Sequence, residues 1–237
     1  MFQVGNFGFA MTHFFSSGNT LAFLHGWNVF RDTIVTGEST VTHADRLYDL
    51  LQSSVSLWRH PLLLPTILLQ EHLFRSDKFT WQTLSPQVRR IERELGVTKT
   101  GRLARSRLVV PDAMKKLLRD DDRRLQLTAN VNTALTDTIN LVGVLQWDQR
   151  FGEFIRRVDK ELRGHYEGAN IHFSIVRELD SAIDHFVCEA VTATEYTVAM
   201  RSRLEVQLNL VRTHSLLRHR KPARETKLNA DGSCTTS

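Results

Sequence analysis

The stretch Val176–Val211, VRELDSAIDHFVCEAVTATEYTVAMRSRLEVQLNLV, decides the fold. Taken at alternating steps of three and four it gives Val176, Leu179, Ile183, Phe186, Ala190, Ala193, Thr197, Met200, Leu204, Gln207 and Val211. That is a heptad a/d seam held over about five repeats, with no proline or glycine inside it. At ~1.5 Å per residue the helix would be roughly 54 Å long, more than the width of an ordinary small domain. A helix of this length is a stalk, a coiled-coil strand or one arm of a long hairpin. Its central layers, Ala190, Ala193 and Thr197, are small or polar, and Gln207 takes a d position. Such layers bury little apolar area, so an isolated two-stranded zipper would be weak. We therefore expect the helix to pack on the helix that precedes it.

Working outward, that preceding helix is expected over about 113–163. Gly143 and Gly152 are tolerated weak points in it, and Trp147, Phe151, Phe154, Ile155, Val158 and Leu162 form its apolar stripe. Gly164-His165-Tyr166-Glu167-Gly168 breaks the pattern, and the seam helix follows over about 171–217. Two long helices joined by a short glycine-flanked turn make an antiparallel hairpin with facing stripes.

At the N-terminal end, Phe7, Phe9 and Met11 alternate with small or polar residues. Leu21, Phe23 and His25 do the same after Ser16-Ser17-Gly18-Asn19. The spacing predicts a β-hairpin over about 6–28. Residues 31–41 are polar and read as a loop. Thr42 caps a helix through Leu57 with Leu47, Leu50, Leu51 and Trp58 as its apolar stripe. Another helix starts between Pro61 and Pro65 and runs to about Arg75, since proline costs little in a first turn. Ser85-Pro86 opens a short helix that ends at Gly96. A basic connector with a short strand at Leu108–Val110 follows over 97–112. The fold class is thus mainly α, a long antiparallel helical hairpin or bundle with a small N-terminal β-hairpin or sheet, α+β overall. Residues 1–212 read as one domain and 218–237 as a disordered basic and polar tail.

Composition bounds the function. With 41% hydrophobic and 24% charged residues the chain can bury a core, so wholesale disorder is excluded. No run approaches the ~18 apolar residues of a membrane-spanning helix, and no positive charge precedes Arg31, which argues against a signal peptide. The two cysteines, Cys188 and Cys234, make no disulfide framework, and no N-glycosylation sequon occurs. Both features suit a reducing, cytoplasmic setting, with membrane association through a partner or by peripheral contact.

Chemistry has little foothold. Ten histidines are present, yet none is spaced as a metal ligand pair, and Glu71-His72 lacks the second histidine of H-E-x-x-H. Asp120-Asp121-Asp122 is flanked by lysines and arginines and reads as a solvated helix turn rather than a cation site. There is no G-x-S-x-G, no P-loop and no G-x-G-x-x-G, and Cys188 reads as an inert thiol near the seam. No catalytic residue, metal ligand or cofactor is assigned, although dispersed groups converging in space would leave an enzyme as an alternative. The net charge of +5 gathers in part at Arg89, Arg90, Arg93, Arg102, Arg105 and Arg107, candidate contacts for phosphate or anionic lipid. No aromatic residue lies between Arg89 and Arg107, which argues against nucleic acid as the partner.

Several strings together carry a resemblance. His60-Pro61-Leu62-Leu63-Leu64-Pro65, Glu92-Arg93-Glu94-Leu95-Gly96-Val97-Thr98, Leu179 and the closing Arg203-Leu204-Glu205-Val206-Gln207-Leu208-Asn209 resemble the cytosolic region of fungal CorA-like divalent-cation (magnesium) transporter proteins. The resemblance covers roughly residues 6–211 in the same order. It implies a β-containing N-terminal region and long helices that, in the family, lead into two transmembrane helices bearing a Gly-Met-Asn signature. This sequence has neither, so the resemblance implies ancestry and fold but not ion conduction, and no pore residue carries over. The expectation is a non-catalytic helical protein acting through helix–helix or partner contact, as a homo-oligomer or with a related membrane protein. The alternative is a regulatory or truncated subunit of such a transporter, with the Val176–Val211 helix as a stalk whose membrane end is missing.

Overall fold

A computed structural model of the chain describes residues 7–26, 33–36, 39–95, 120–166 and 171–220. The chain is mainly helical with a small β part, as its periodicities predict. Strands β1 (Phe7–Phe14) and β2 (Asn19–Gly26) form the first antiparallel hairpin, with His13 opposite Thr20. Gly18 holds φ +70°, a left-handed conformation that glycine adopts without strain, and its N–H donates to the Phe14 carbonyl at 2.8 Å.

Residues 31–41 are not a loop throughout. Strands β3 (Thr33–Thr36) and β4 (Ser39–Thr42) pair as a second hairpin, with Thr36 opposite Ser39. Their polarity hides them, but seven of the eight residues, all but Ser39, are Thr, Ile or Val, whose branched Cβ suits a pleated strand.

Helix α1 (His43–Ser53) begins with a reciprocal cap. The Asp45 N–H donates to the Thr42 hydroxyl oxygen, and the Thr42 N–H donates to the Asp45 carboxylate. It stops short of Leu57 because the hydroxyls of Ser53 and Ser54 both donate to the Leu50 carbonyl. A short 3₁₀ turn, Val55–Leu57, follows.

Helix α2 (Leu63–Phe79) accepts Pro65 in its first turn and extends past Arg75. It is buried on most of its circumference. A π-helical turn over Thr80–Leu84 leads into α3 (Ser85–Glu94), where Pro86 sits in the first turn. The connector 97–112, with its strand at Leu108–Val110, lies outside the described residues.

Helices α4 (Asp121–Tyr166) and α5 (Phe173–Arg220) are the long pair. The described helix starts at Asp121, where the Asp120 carboxylate accepts the Arg123 N–H at 3.1 Å. The expected start near Ala113 falls on residues 113–119, which lie outside the described ones. Asp121 and Asp122 occupy the first turn, where carboxylates favour the helix dipole, and Asp121 pairs with Arg124. At the other end α5 continues to Arg220, into the stretch read as tail, whose remainder lies outside the described residues.

The chain divides into two compact units, Met1–Phe79 with Leu141–Tyr196, and Thr80–Asn140 with Thr197–Ser237. In the first unit α4 and α5 run antiparallel. Gly152 lies against Val187, Arg156 pairs with Asp184, and Arg163 pairs with Asp180 at 2.5 Å. α2 runs antiparallel to α4 on another side, through Leu69 on Gly152 and His72 on Asp148. Phe15 of the first hairpin packs on Tyr166, Ile171 and Val176, where the two long helices turn.

The inward stripe of α4 differs from the expected aromatic one. In this unit Leu141, Leu145, Asp148, Gly152, Ile155, Asp159 and Tyr166 are buried, whereas Trp147 is 43% and Phe154 49% exposed. The stripe is rotated because two aspartates, which look like surface residues, occupy inner positions and accept hydrogen bonds there from protein partners, Asp148 through Oδ1 only. Gly152 is accordingly a packing requirement, not a weak point. A Cβ there would lie 2.5 Å from Val187 Cγ2 and 3.2 Å from Leu69 Cδ2. Gly143 has open space around it.

In the second unit Leu127, Val131, Ala134 and Thr138 line the buried face of α4 at helical spacing. Leu84, Val88, Ile91 and Leu95 do the same along the π-turn and α3.

Candidate functional site

Two polar clusters are buried in the first unit. In one, His72 of α2 hydrogen-bonds Asp148 of α4 through Nδ1, with both side chains almost fully enclosed. Ser76 lies one turn further along α2 and is also buried. Burial pushes the Asp148 carboxyl above its usual range, against the opposing pull of the His72 hydrogen bond and charge. A serine, a histidine and an aspartate on adjoining helix faces invite comparison with a nucleophilic triad. All three are buried, and none of them lines either of the two cavities described. The pair does structural work, joining α2 to α4.

The second cluster lies beneath a cavity. His60, which precedes Pro61 and the start of α2, is 1% exposed. Its Nδ1 accepts the Leu62 N–H at 3.2 Å, so the neutral ring carries its hydrogen on Nε2. That Nε2 lies 3.6 Å from Asp159 Oδ1, beyond a hydrogen bond. Asp159 is satisfied elsewhere, since it accepts the Tyr166 hydroxyl at 2.7 Å and the Arg163 Nε at 2.9 Å. Arg163 thus bridges Asp159 on its own helix to Asp180 on α5.

Burial pushes His60 down to about 4, outweighing the Asp159 carboxylate, and His13 adds to the lowering. The ring is therefore neutral at physiological pH. Burial, then the hydrogen bond to Asp159, raises the Tyr166 phenol far above its ordinary value. Asp180 is raised by burial and by Asp159, in opposition to Arg163. His60 and Tyr166 are therefore both uncharged near neutrality, and their contacts hold the shape of the cluster.

The cavity above has a volume of about 580 Å³. The β1–β2 turn contributes Ser17, Asn19 and Thr20, α1 contributes Tyr48 and Gln52, and the segment from Trp58 to Leu64 forms the remaining wall. Trp58 is held in place by its indole N–H, which donates to the Leu51 carbonyl at 2.7 Å. The Thr20 hydroxyl bonds His13 Nδ1 at 2.8 Å.

The candidate residues read from the sequence fall in three places. In the first unit Val176, Leu179, Ile183 and Ala190 are buried, while Phe186 and Ala193 are partly so. In the second unit Thr197, Met200, Leu204, Gln207 and Val211 are buried. Of the candidate anion contacts, Arg89, Arg90 and Arg93 lie on α3 and are all exposed. Arg90 pairs with Glu94 at 3.0 Å, and Arg89 and Arg93 each donate to a carbonyl one turn earlier. Arg102, Arg105 and Arg107 lie outside the described residues. Cys188, expected to be a buried thiol, is exposed. Cys234 lies outside the described residues.

A polar knot in the second unit has little signature in the sequence. Glu92 Oε1 accepts from Arg203 Nε at 3.0 Å and from Gln207 Nε2 at 3.2 Å, tying α3 to α5. The only advance signal is the amide at a d position of the seam. The His60 cluster is equally hidden, since its members are separated by about a hundred residues along the chain. Among the described residues no group of three or more His, Cys, Asp or Glu is placed to hold a metal ion. None of their helices is long and apolar enough to cross a membrane. Compared with known proteins, the chain matches no family model, no curated protein and no solved structure.

Proposed function

We propose that the chain is a non-catalytic helical protein that works by helix–helix contact with a partner or with a second copy of itself. The observation that carries this reading is the inverted use of side chains on α4. Asp148 and Asp159, the groups suited to chemistry, are buried and join helices, while Trp147 and Phe154, one heptad apart, face outward. The reading draws further support from the length of α4 and α5, 46 and 48 residues. In this reading the protein is a cytoplasmic relative of the cytosolic region of CorA-like transporters, and its partner is a related membrane protein or its own copy in a coiled-coil arrangement. It does not itself conduct ions, and nucleic acid is not its partner.

Sedimentation over a concentration series tests this, together with the double variant Trp147→Ser/Phe154→Ser. Self-association, or recovery of a helical membrane-protein partner, is expected for the natural chain and is lost in the variant. A strict monomer that recovers no partner overturns the reading. So does an association that the double variant leaves intact.

A further inference from the structure

We propose that the cavity between the first β-hairpin, α1 and the start of α2 is a binding site for a small aromatic carboxylate. This goes beyond the helix-contact reading and stands independently of it. At about 580 Å³ the cavity falls within the range that encloses a small organic ligand. Its walls divide by chemistry. Leu51, Pro61, Leu63 and Leu64 are apolar, and the rings of Tyr48 and Trp58 stand beside them. Because the Trp58 indole N–H is committed to the Leu51 carbonyl, the ring offers its face, which favours a stacked planar body.

The polar lining sets the sign of the ligand. Among the described residues that line it there is no Asp or Glu, and Arg59 is the one permanent cation. Among the described residues no ion pair engages Arg59. A guanidinium offers a planar fork of N–H donors that a carboxylate accepts in bidentate fashion. A single cation matches a single negative charge; a phosphate dianion would call for more cations or a nest of backbone N–H groups. The Gln52 and Asn19 amides add neutral donors around the rim. His60 forms part of the wall as a neutral ring and adds no charge.

The test uses the full chain labelled for NMR, with indole-3-acetate and its neutral amide, indole-3-acetamide, as matched probes. The acid is expected to shift the amide resonances of Asn19, Thr20 and Gln52 and the Trp58 indole N–H. Binding in the millimolar to high-micromolar range is expected, as about 13 heavy atoms permit. The neutral amide binds about tenfold more weakly, the effect of one charge-assisted pair. Arg59→Gln lowers the affinity of the acid to that of the amide and leaves the amide unchanged. Gln52→Glu places a carboxylate in the wall and weakens the acid selectively, a second check should the arginine variant misfold. Equal binding of acid and amide overturns the proposal. So does an acid affinity unaffected by both variants, or the absence of any shift at about 10 mM probe, well above that expected range.

Discussion

Val187 of α5 closes directly over Gly152 of α4, so near that a Cβ on the glycine would meet its Cγ2 at 2.5 Å. Leu69 of α2 approaches the same point at 3.2 Å, which makes Gly152 a place where three helices of the first unit come close together. Valine has a stiff χ1 and cannot swing aside cheaply. Gly152→Ala gains about 1 kcal/mol of helix propensity but incurs about 1–3 kcal/mol of overpacking, so a net destabilisation of about 1 kcal/mol is expected. Urea melts of Gly152→Ala, Val187→Ala and the double variant check this. The double variant should be more stable than the sum of the singles by at least about 0.5 kcal/mol.

Gly143 supplies the contrasting case on the same helix. It is exposed, and a Cβ there meets nothing within 4 Å. Gly143→Ala should stabilise the protein by about 0.5–1 kcal/mol, because only the backbone-entropy term remains. A destabilised Gly143→Ala protein would mean that α4 is covered there by something the described residues do not supply.

Glu92 concentrates three hydrogen bonds on one carboxylate oxygen, from Arg203 and Gln207. Its carboxylate is nearly buried, whereas Arg203 is partly exposed and can turn to water. Glu92→Ala therefore chiefly strands the Gln207 amide, whose Oε1 already lacks a partner. A cost of about 2–3 kcal/mol in a denaturant melt is expected. Gln207→Leu removes the stranded oxygen and adds apolar surface at a buried seam position, so it should change stability by less than about 1 kcal/mol in either direction. If Gln207→Leu costs as much as Glu92→Ala, the amide contributes more than its one hydrogen bond.

What is legible in the sequence follows from which signals are local. The two long helices, the first hairpin and the starts of α2 and α3 are readable because heptad spacing, period-two alternation and Pro placement act over a few residues. The second hairpin is hidden because Thr and Ser are polar, while its strand preference comes from the branched Cβ of Thr33, Thr36, Thr40 and Thr42. The inner face of α4 is misread because Asp148 and Asp159 count as surface residues until His72, Tyr166 and Arg163 are placed beside them. Those partners come from other elements or other turns, and periodicity within one helix carries no information about them. The cavity is equally invisible, since the β1–β2 turn and the α1–α2 junction meet only in three dimensions.

His60 makes the stability of the first unit depend on pH. Its folded value of about 4 lies below the ordinary 6.5, with burial as the main cause. The unfolded chain therefore binds more protons between these values, and stability rises with pH across that window. The contribution is fully present above about 6.5 and is lost as pH falls towards 4, reaching roughly 3 kcal/mol for a side chain this buried. His13, which burial also lowers, acts in the same direction. Asp148, raised by burial, acts in the opposite sense, since its contribution is lost as pH rises through its folded value. Asp159 and Tyr166 face the ring, but Tyr166 does not ionise in this range. Urea midpoints at about pH 5, 6 and 7 should climb in the natural chain and climb distinctly less in His60→Gln. The glutamine amide retains an acceptor for the Leu62 N–H, so the slope, not the level, is the readout. An unchanged slope in His60→Gln would assign the pH dependence to His13 or to groups outside this cluster.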